Sequence, residues 1–189
     1  MEQLIDAIDH HKEFPAKSAL LTFDDGYIDY FHSVFPVLDE KGIQGSFYAP
    51  VEVLREHTVL DVNKIHFILA STPDKKALVQ DIFQQLDLYR EEYQLEENEY
   101  YFNKLTLPKK RYDTLEVTFV KKILQVGIPE NVRKNIINML FSRCVNVDEI
   151  SFSKELYMNI DHIKCLQRHG MHIGSHGFAH YWVNLLSLE

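Results

Sequence analysis

Cysteine is scarce in this chain of 189 residues: Cys144 and Cys165 are the only two, and they form no C-x-x-C spacing. A disulfide framework is therefore not expected, and a reducing compartment is the default. Positive charge is also short. Twenty Lys and Arg stand against 28 Asp and Glu, and the net charge of −8 argues against an electrostatic nucleic-acid binder. Long apolar runs are missing, and none approaches the ~20 residues that a membrane span needs. The opening Met1-Glu2-Gln3-Leu4-Ile5-Asp6 has no basic n-region and no apolar h-region. It does not read as a signal peptide, so the cytoplasm is the expected location. Internal repeats and low-complexity linkers are absent, as is a phosphate-cradling glycine loop.

What is present is a strand–helix rhythm broken by a long helical stretch. Hydrophobic residues make up 46% of the chain, enough for a sizeable core in one domain or one domain with a large insertion. Leu4, Ile5 and Ile8 form a short helical stripe. Residues 18–23 are a small-to-apolar run ended by Asp24-Asp25-Gly26, the pattern of a buried parallel strand. Phe31, Val34, Phe35 and Leu38 then recur at helical spacing, with Pro36 marking a helix start and Gly42 its end. Gly45-Ser46-Phe47-Tyr48-Ala49, closed by Pro50, reads as a second strand. Together these make a βαβ unit.

Residues 57–150 switch to a period of 3.6 and are expected to be a helical insertion. Thr72-Pro73-Asp74 predicts a helix with Thr72 as N-cap, Leu115 and Pro129 open two further helices, and residues 98–113 show no clear period. The βα rhythm resumes at Ser153, read as an N-cap, with Leu156, Ile160, Ile163 and Leu166 on one face and Gly170 as the stop. Residues 171–175 form a third strand running into His176.

Two motifs therefore lie at the C-terminal ends of strands, where parallel α/β folds place their chemistry. They are expected to end neighbouring strands. Asp24-Asp25-Gly26 alone is commonly just a turn, and His176 and His180 alone are commonly a surface pair. As a set, one carboxylate and two imidazoles four residues apart can hold a divalent metal and leave positions for water and substrate. Adjacent residues leave a strand on opposite sides, so the second carboxylate is free to take a proton. The other histidines, His66 and His172 among them, read as packing or surface residues.

These residues carry a resemblance. Thr22-Phe23-Asp24-Asp25-Gly26, the strand over 45–49, and the stretch 170–180 ending in His176-Gly177-Phe178-Ala179-His180 resemble the polysaccharide deacetylases of carbohydrate esterase family 4. The resemblance implies a (β/α) barrel, of which residues 1–56 and 151–189 would supply the first three units. It implies Asp24 as catalytic base, and Asp25, His176 and His180 as ligands of a metal, usually zinc. It implies removal of an N-acetyl group from a carbohydrate. Gly177 departs from the family's Ser or Thr, which supports that loop. The family's general-acid histidine and an arginine lie beyond the second motif, and this chain ends nine residues after His180. It is therefore expected to be a fragment of a longer enzyme or a truncated product, to bind metal and to hydrolyse poorly alone, with association through an exposed barrel edge or the helical insertion. The competing expectations are an amide hydrolase acting on a cyclic imide or ureide, and a metal-binding module without catalysis.

Overall fold

The computed structural model describes residues 1–14, 16–108 and 112–182. In chain order the elements are α1 (Glu2–Asp9), β1 (Thr22–Phe23), α2 (Phe35–Glu40), β2 (Ser46–Ala49), α3 (Val51–Arg55), α4 (Asp61–Ser71), α5 (Lys75–Tyr93), α6 (Asn98–Thr106) and α7 (Leu115–Lys122). There follow α8 (Glu130–Cys144), α9 (Glu149–Leu156), α10 (Ile160–Arg168) and β3 (His172–Ser175). Wide π-type turns over Tyr30–Val34 and Ile123–Gly127 extend α2 and α7. The protein is thus mixed α/β and mostly helical, with a small open parallel sheet. Among the described residues, no helix is long and apolar enough to cross a membrane.

The chain divides into two compact units, Met1–Leu60 with Asp148–Glu189, and Asp61–Val147. Residues 57–60, expected in the insertion, stay with the first unit for a specific reason. The Val59 N–H donates to Glu149 Oε1 at 2.9 Å, the Leu60 N–H to Tyr157 Oη at 3.2 Å, and Ser153 Oγ to the Thr58 carbonyl at 3.0 Å. Ser153 is therefore a buried residue inside α9 rather than the expected N-cap. Asp148 caps α9 and Asn159 caps α10, so the single helix read across this region is two.

In the first unit the sheet order is β1-β2-β3, all parallel. Phe47 and Ala49 are buried on one face of β2, and Ser46 is buried with Tyr48 half-buried on the other, as expected of a central parallel strand covered on both faces. Phe23 stacks on Phe47 with ring centroids 4.8 Å apart. Phe35 and Leu38 of α2, Leu166 of α10, and Met158 and Met171 close the same core. Gly174 pairs with Tyr48 across β2 and β3, and a Cβ there would stand 2.5 Å from the Tyr48 ring, so any larger residue would force that ring to shift. The strand read over 18–23 is shorter than expected. Leu20 and Leu21 are 42% and 40% exposed, and only Thr22 and Phe23 pair with β2. The Ile5 and Ile8 stripe of α1 is likewise exposed.

The second unit, described by itself, is helical throughout its named elements. Ile65 and Ile68 of α4, Leu78, Ile82 and Leu86 of α5, Phe119 of α7, and Ile136 and Leu140 of α8 are fully buried. Burying an aliphatic side chain of this kind contributes ~1.5–3 kcal/mol. The buried Lys64 ammonium donates to Asn138 Oδ1 at 2.7 Å. Two local readings shift here. The N-cap of α5 is Asp74, whose Oδ1 accepts from the Lys76 and Ala77 N–H groups, so the expected Thr72 cap moves two residues on. The aperiodic stretch after residue 98 holds α6, whose buried residues are only Tyr101 and Thr106, too few to show a period.

Candidate metal centre

The chain leaves β1 through Asp24 into a left-handed turn. Asp25 has φ +66° and Gly26 φ +72°. A non-glycine residue in this region is uncommon and costs ~1–2 kcal/mol, so surrounding contacts must hold it there. They do. The Gly26 carbonyl accepts the Met158 N–H at 2.8 Å, and a Cβ on Gly26 would lie 3.1 Å from the Ala49 Cβ. Tyr27 pairs with Tyr157 in an isolated antiparallel bridge, and their rings stack 5.8 Å apart.

The second half leaves β3. The His176 N–H donates to the Ala49 carbonyl at 3.1 Å, continuing the ladder past Ser175. Residues 177–179 then form a turn, with Gly177 at φ +76° and His180 at φ +59°. The two imidazoles are therefore set by a turn, not by the face of a helix. The first N–H groups of α3, which have no partner inside the helix, anchor that turn. Val51 donates to the Gly177 carbonyl at 3.1 Å and Glu52 to the Phe178 carbonyl at 2.9 Å. The Arg55 guanidinium lies 6.0 Å over the Phe178 ring.

These two halves bring Asp25, His176 and His180 together. Asp25 Oδ1 lies 3.6 Å from His176 Nε2 and 3.4 Å from His180 Nε2. One ligand atom from each residue falls within 4.8 Å of the others. The expectation that the motifs end neighbouring strands is corrected: β2 lies between β1 and β3. Two strand spacings separate those ends by ~10 Å. The gap closes where Asp25 and Gly26 turn left-handed, with Gly26 set against the small Ala49 at the end of β2.

Asp25 Oδ1 is buried and has no hydrogen-bond partner. Four ligands at ~2.1 Å from a tetrahedral ion stand ~3.4 Å apart, close to both measured carboxylate–imidazole separations. An orphaned carboxylate oxygen facing two imidazoles at that spacing fits a divalent ion better than it fits direct hydrogen bonding, which requires a closer approach. Asp24, next in the chain, is exposed, whereas Asp25 is half-buried.

Two tyrosines beside this cluster escaped sequence reasoning. Burial first, then the charges of Asp25, Asp24 and Asp29, push the Tyr30 hydroxyl above the usual phenol range. Burial also raises Tyr157, with smaller contributions from Tyr27, Asp25 and Glu149, while the Leu60 N–H acts in the opposite sense. Tyr30 carried a signal, lying a few residues after Asp-Asp-Gly; Tyr157 carried none. His172 is directed to Glu2, with Nδ1 3.3 Å from Oε1. His32 lies beside His162, ring centroids 6.2 Å apart.

Compared with protein-family models, curated proteins and solved structures, the chain matches none.

Proposed function

We propose that this chain is a metal-dependent hydrolase that removes N-acetyl groups from a carbohydrate. In this reading its sheet is the first three units of a (β/α) barrel of the polysaccharide deacetylase type. The observation that carries the reading is the convergence of Asp25, His176 and His180 at the C-terminal ends of β1 and β3. Two imidazole nitrogens and one carboxylate oxygen are a donor set suited to zinc, with further positions open. When bound, the ion would supply Lewis-acid polarisation of the acetyl carbonyl and acidify a water.

The chain's own residues would divide the remaining work. Asp25, His176 and His180 hold the ion. Asp24, exposed and next to Asp25, accepts the proton of the attacking water. Water oxygen joins the acetyl carbon, the carbon–nitrogen bond breaks, the proton taken up by Asp24 passes to the departing nitrogen, and acetate and a free amine leave. The left-handed turns at Asp25 and His180 are the kind of backbone strain that clusters at functional sites.

The test has two parts. Equilibrium zinc titration of the metal-stripped chain should give one site, weakened by more than about 100-fold in Asp25→Ala or His180→Ala, beyond the usual loss for residues behind the ligands. Acetate release from N-acetylated chito-oligosaccharides, with zinc or cobalt, should be low for this chain alone, and Asp24→Asn should abolish what there is while zinc affinity is kept. Absence of a zinc site in the folded chain would sink the reading.

A further inference from the structure

A cavity of about 260 Å³ lies in the first unit between α3 and the α9–α10 junction. It adjoins residues that hold the turn carrying Asp25. Tyr157 and Met158 line it, and these same residues hold the Asp25–Gly26 turn, Met158 through Gly26 at 2.8 Å and Tyr157 through its bridge to Tyr27. Val53 lines it from α3, the helix whose first N–H groups hold the turn between His176 and His180.

Its lining carries one formal charge, that of Lys154. Lys154, His57 and Asn159 face it, and no carboxylate is among the residues that line it. This contrasts with a chain whose net charge is −8. Two carboxylates at the start of α9 have backbone partners: Glu149 Oε1 accepts from the Val59 N–H, and Asp148 Oδ2 accepts from the Ser151 N–H while also feeling the Lys154 charge. Lys154 and His57 are exposed, so the polar end opens to solvent. His57 sits at φ +53°, a conformation unusual outside glycine. Asn159 is the N-cap of α10, whose positive dipole end therefore lies at the same rim. The volume is below the ~300–1,000 Å³ typical of a drug-sized ligand, which suits one substituent or one ring rather than a polymer.

We propose that this cavity is a substrate subsite for an anionic substituent, a phosphate ester or a carboxylate, on the sugar whose acetyl group faces Asp25, His176 and His180. The inference rests on the hydrolase reading above for its link to the reaction. Lys154 contributes the charge, His57 and Asn159 contribute donors, and charge-assisted hydrogen bonds of this kind are about twice as strong as neutral ones.

Binding can be measured on the chelator-treated chain, so that it does not depend on metal. The ligands are N-acetylglucosamine, N-acetylglucosamine 6-phosphate, N-acetylmuramic acid and inorganic phosphate, titrated calorimetrically into the wild type, Lys154→Gln, Lys154→Arg and His57→Gln. At least one anionic sugar should bind about tenfold tighter than the neutral sugar. That preference should fall below about threefold in Lys154→Gln and return in Lys154→Arg. Which sugar is preferred distinguishes phosphate from carboxylate. Equal binding of charged and neutral sugars would overturn the proposal. So would a preference untouched by Lys154→Gln and His57→Gln, or inorganic phosphate binding as tightly as the sugar phosphate. A chain that keeps the preference but takes no zinc would support the subsite and defeat the metal reading. Lys154 is exposed, so its replacement leaves the core intact, and melting curves on each variant verify this.

Discussion

Val51 donates its backbone N–H to the carbonyl of Gly177 at 3.1 Å. The first residue of one helix thus anchors the turn that separates two candidate metal ligands. Pro50 precedes it with ψ 140°, an extended conformation that a following proline accepts. Proline is also tolerated at the first position of a helix. Val51→Pro should therefore keep the fold while removing this one donor. Zinc affinity should fall about tenfold, as for other residues that orient a ligand, with unchanged far-ultraviolet circular dichroism. Unchanged zinc affinity would show that the bond does not position His176 and His180.

The Asp25–Gly26 turn allows a second test. Gly26→Ala places a side chain at φ +72° and 3.1 Å from the Ala49 Cβ. The left-handed conformation alone costs ~1–2 kcal/mol. Chemical denaturation should show a loss of at least that size, and zinc affinity should fall with it, because the displaced turn carries Asp25. A loss of stability without change in zinc binding would separate the turn from the site.

Gly174 and Tyr48 face each other across β2 and β3. A Cβ on residue 174 would meet the Tyr48 ring at 2.5 Å, so Gly174→Ala should destabilise by ~1–3 kcal/mol, the usual cost of overpacking. In the background of Tyr48→Ala the same change should cost little. A double-mutant cycle measures the coupling directly, and additivity within ~0.5 kcal/mol would contradict the register.

At the start of α5, Asp74→Ala should cost ~0.5–2 kcal/mol, because Oδ1 serves two N–H groups. Thr72→Val should cost nothing or stabilise, since Thr72 Oγ1 is buried without a hydrogen-bond partner. The reverse order of effects would restore Thr72 as the cap.

Asp61 gives a pH dependence with a definite sign. Burial raises its carboxyl above the usual 3.8, against the lowering effects of Lys64, Lys134 and Arg133. Between the unfolded and the raised folded value, the native state binds more protons than the unfolded chain. Stability conferred by the protonated group is present below 3.8 and is lost as pH rises through the folded value. Asp61→Asn lacks this loss. Denaturation midpoints should show the variant gaining on the wild type from pH 4 towards neutrality. A gap that narrows over that range would contradict the sign.

Much of the local structure was legible because it is encoded locally. Phe47 and its neighbours form an apolar run between Gly45 and Pro50, and a buried central strand needs little else. The helical period across Leu78, Ile82 and Leu86 marked α5, and all three are fully buried. The chemistry of the site was also present in the residue types Asp24, Asp25, His176 and His180. Tertiary structure decided how Asp25, His176 and His180 meet. β2 stands between β1 and β3, and Asp25 reaches His176 and His180 through the left-handed Asp25–Gly26 turn, which sets Gly26 against Ala49. That conformation is locally unfavourable, and no local pattern predicts it. It is held by Met158, whose N–H reaches Gly26 from beyond the helical unit. Tyr157 stacks on Tyr27 by the same route. Sequence distance hides both contacts, because hydrogen bonds and stacked rings depend on separation in space, which only the folded chain supplies.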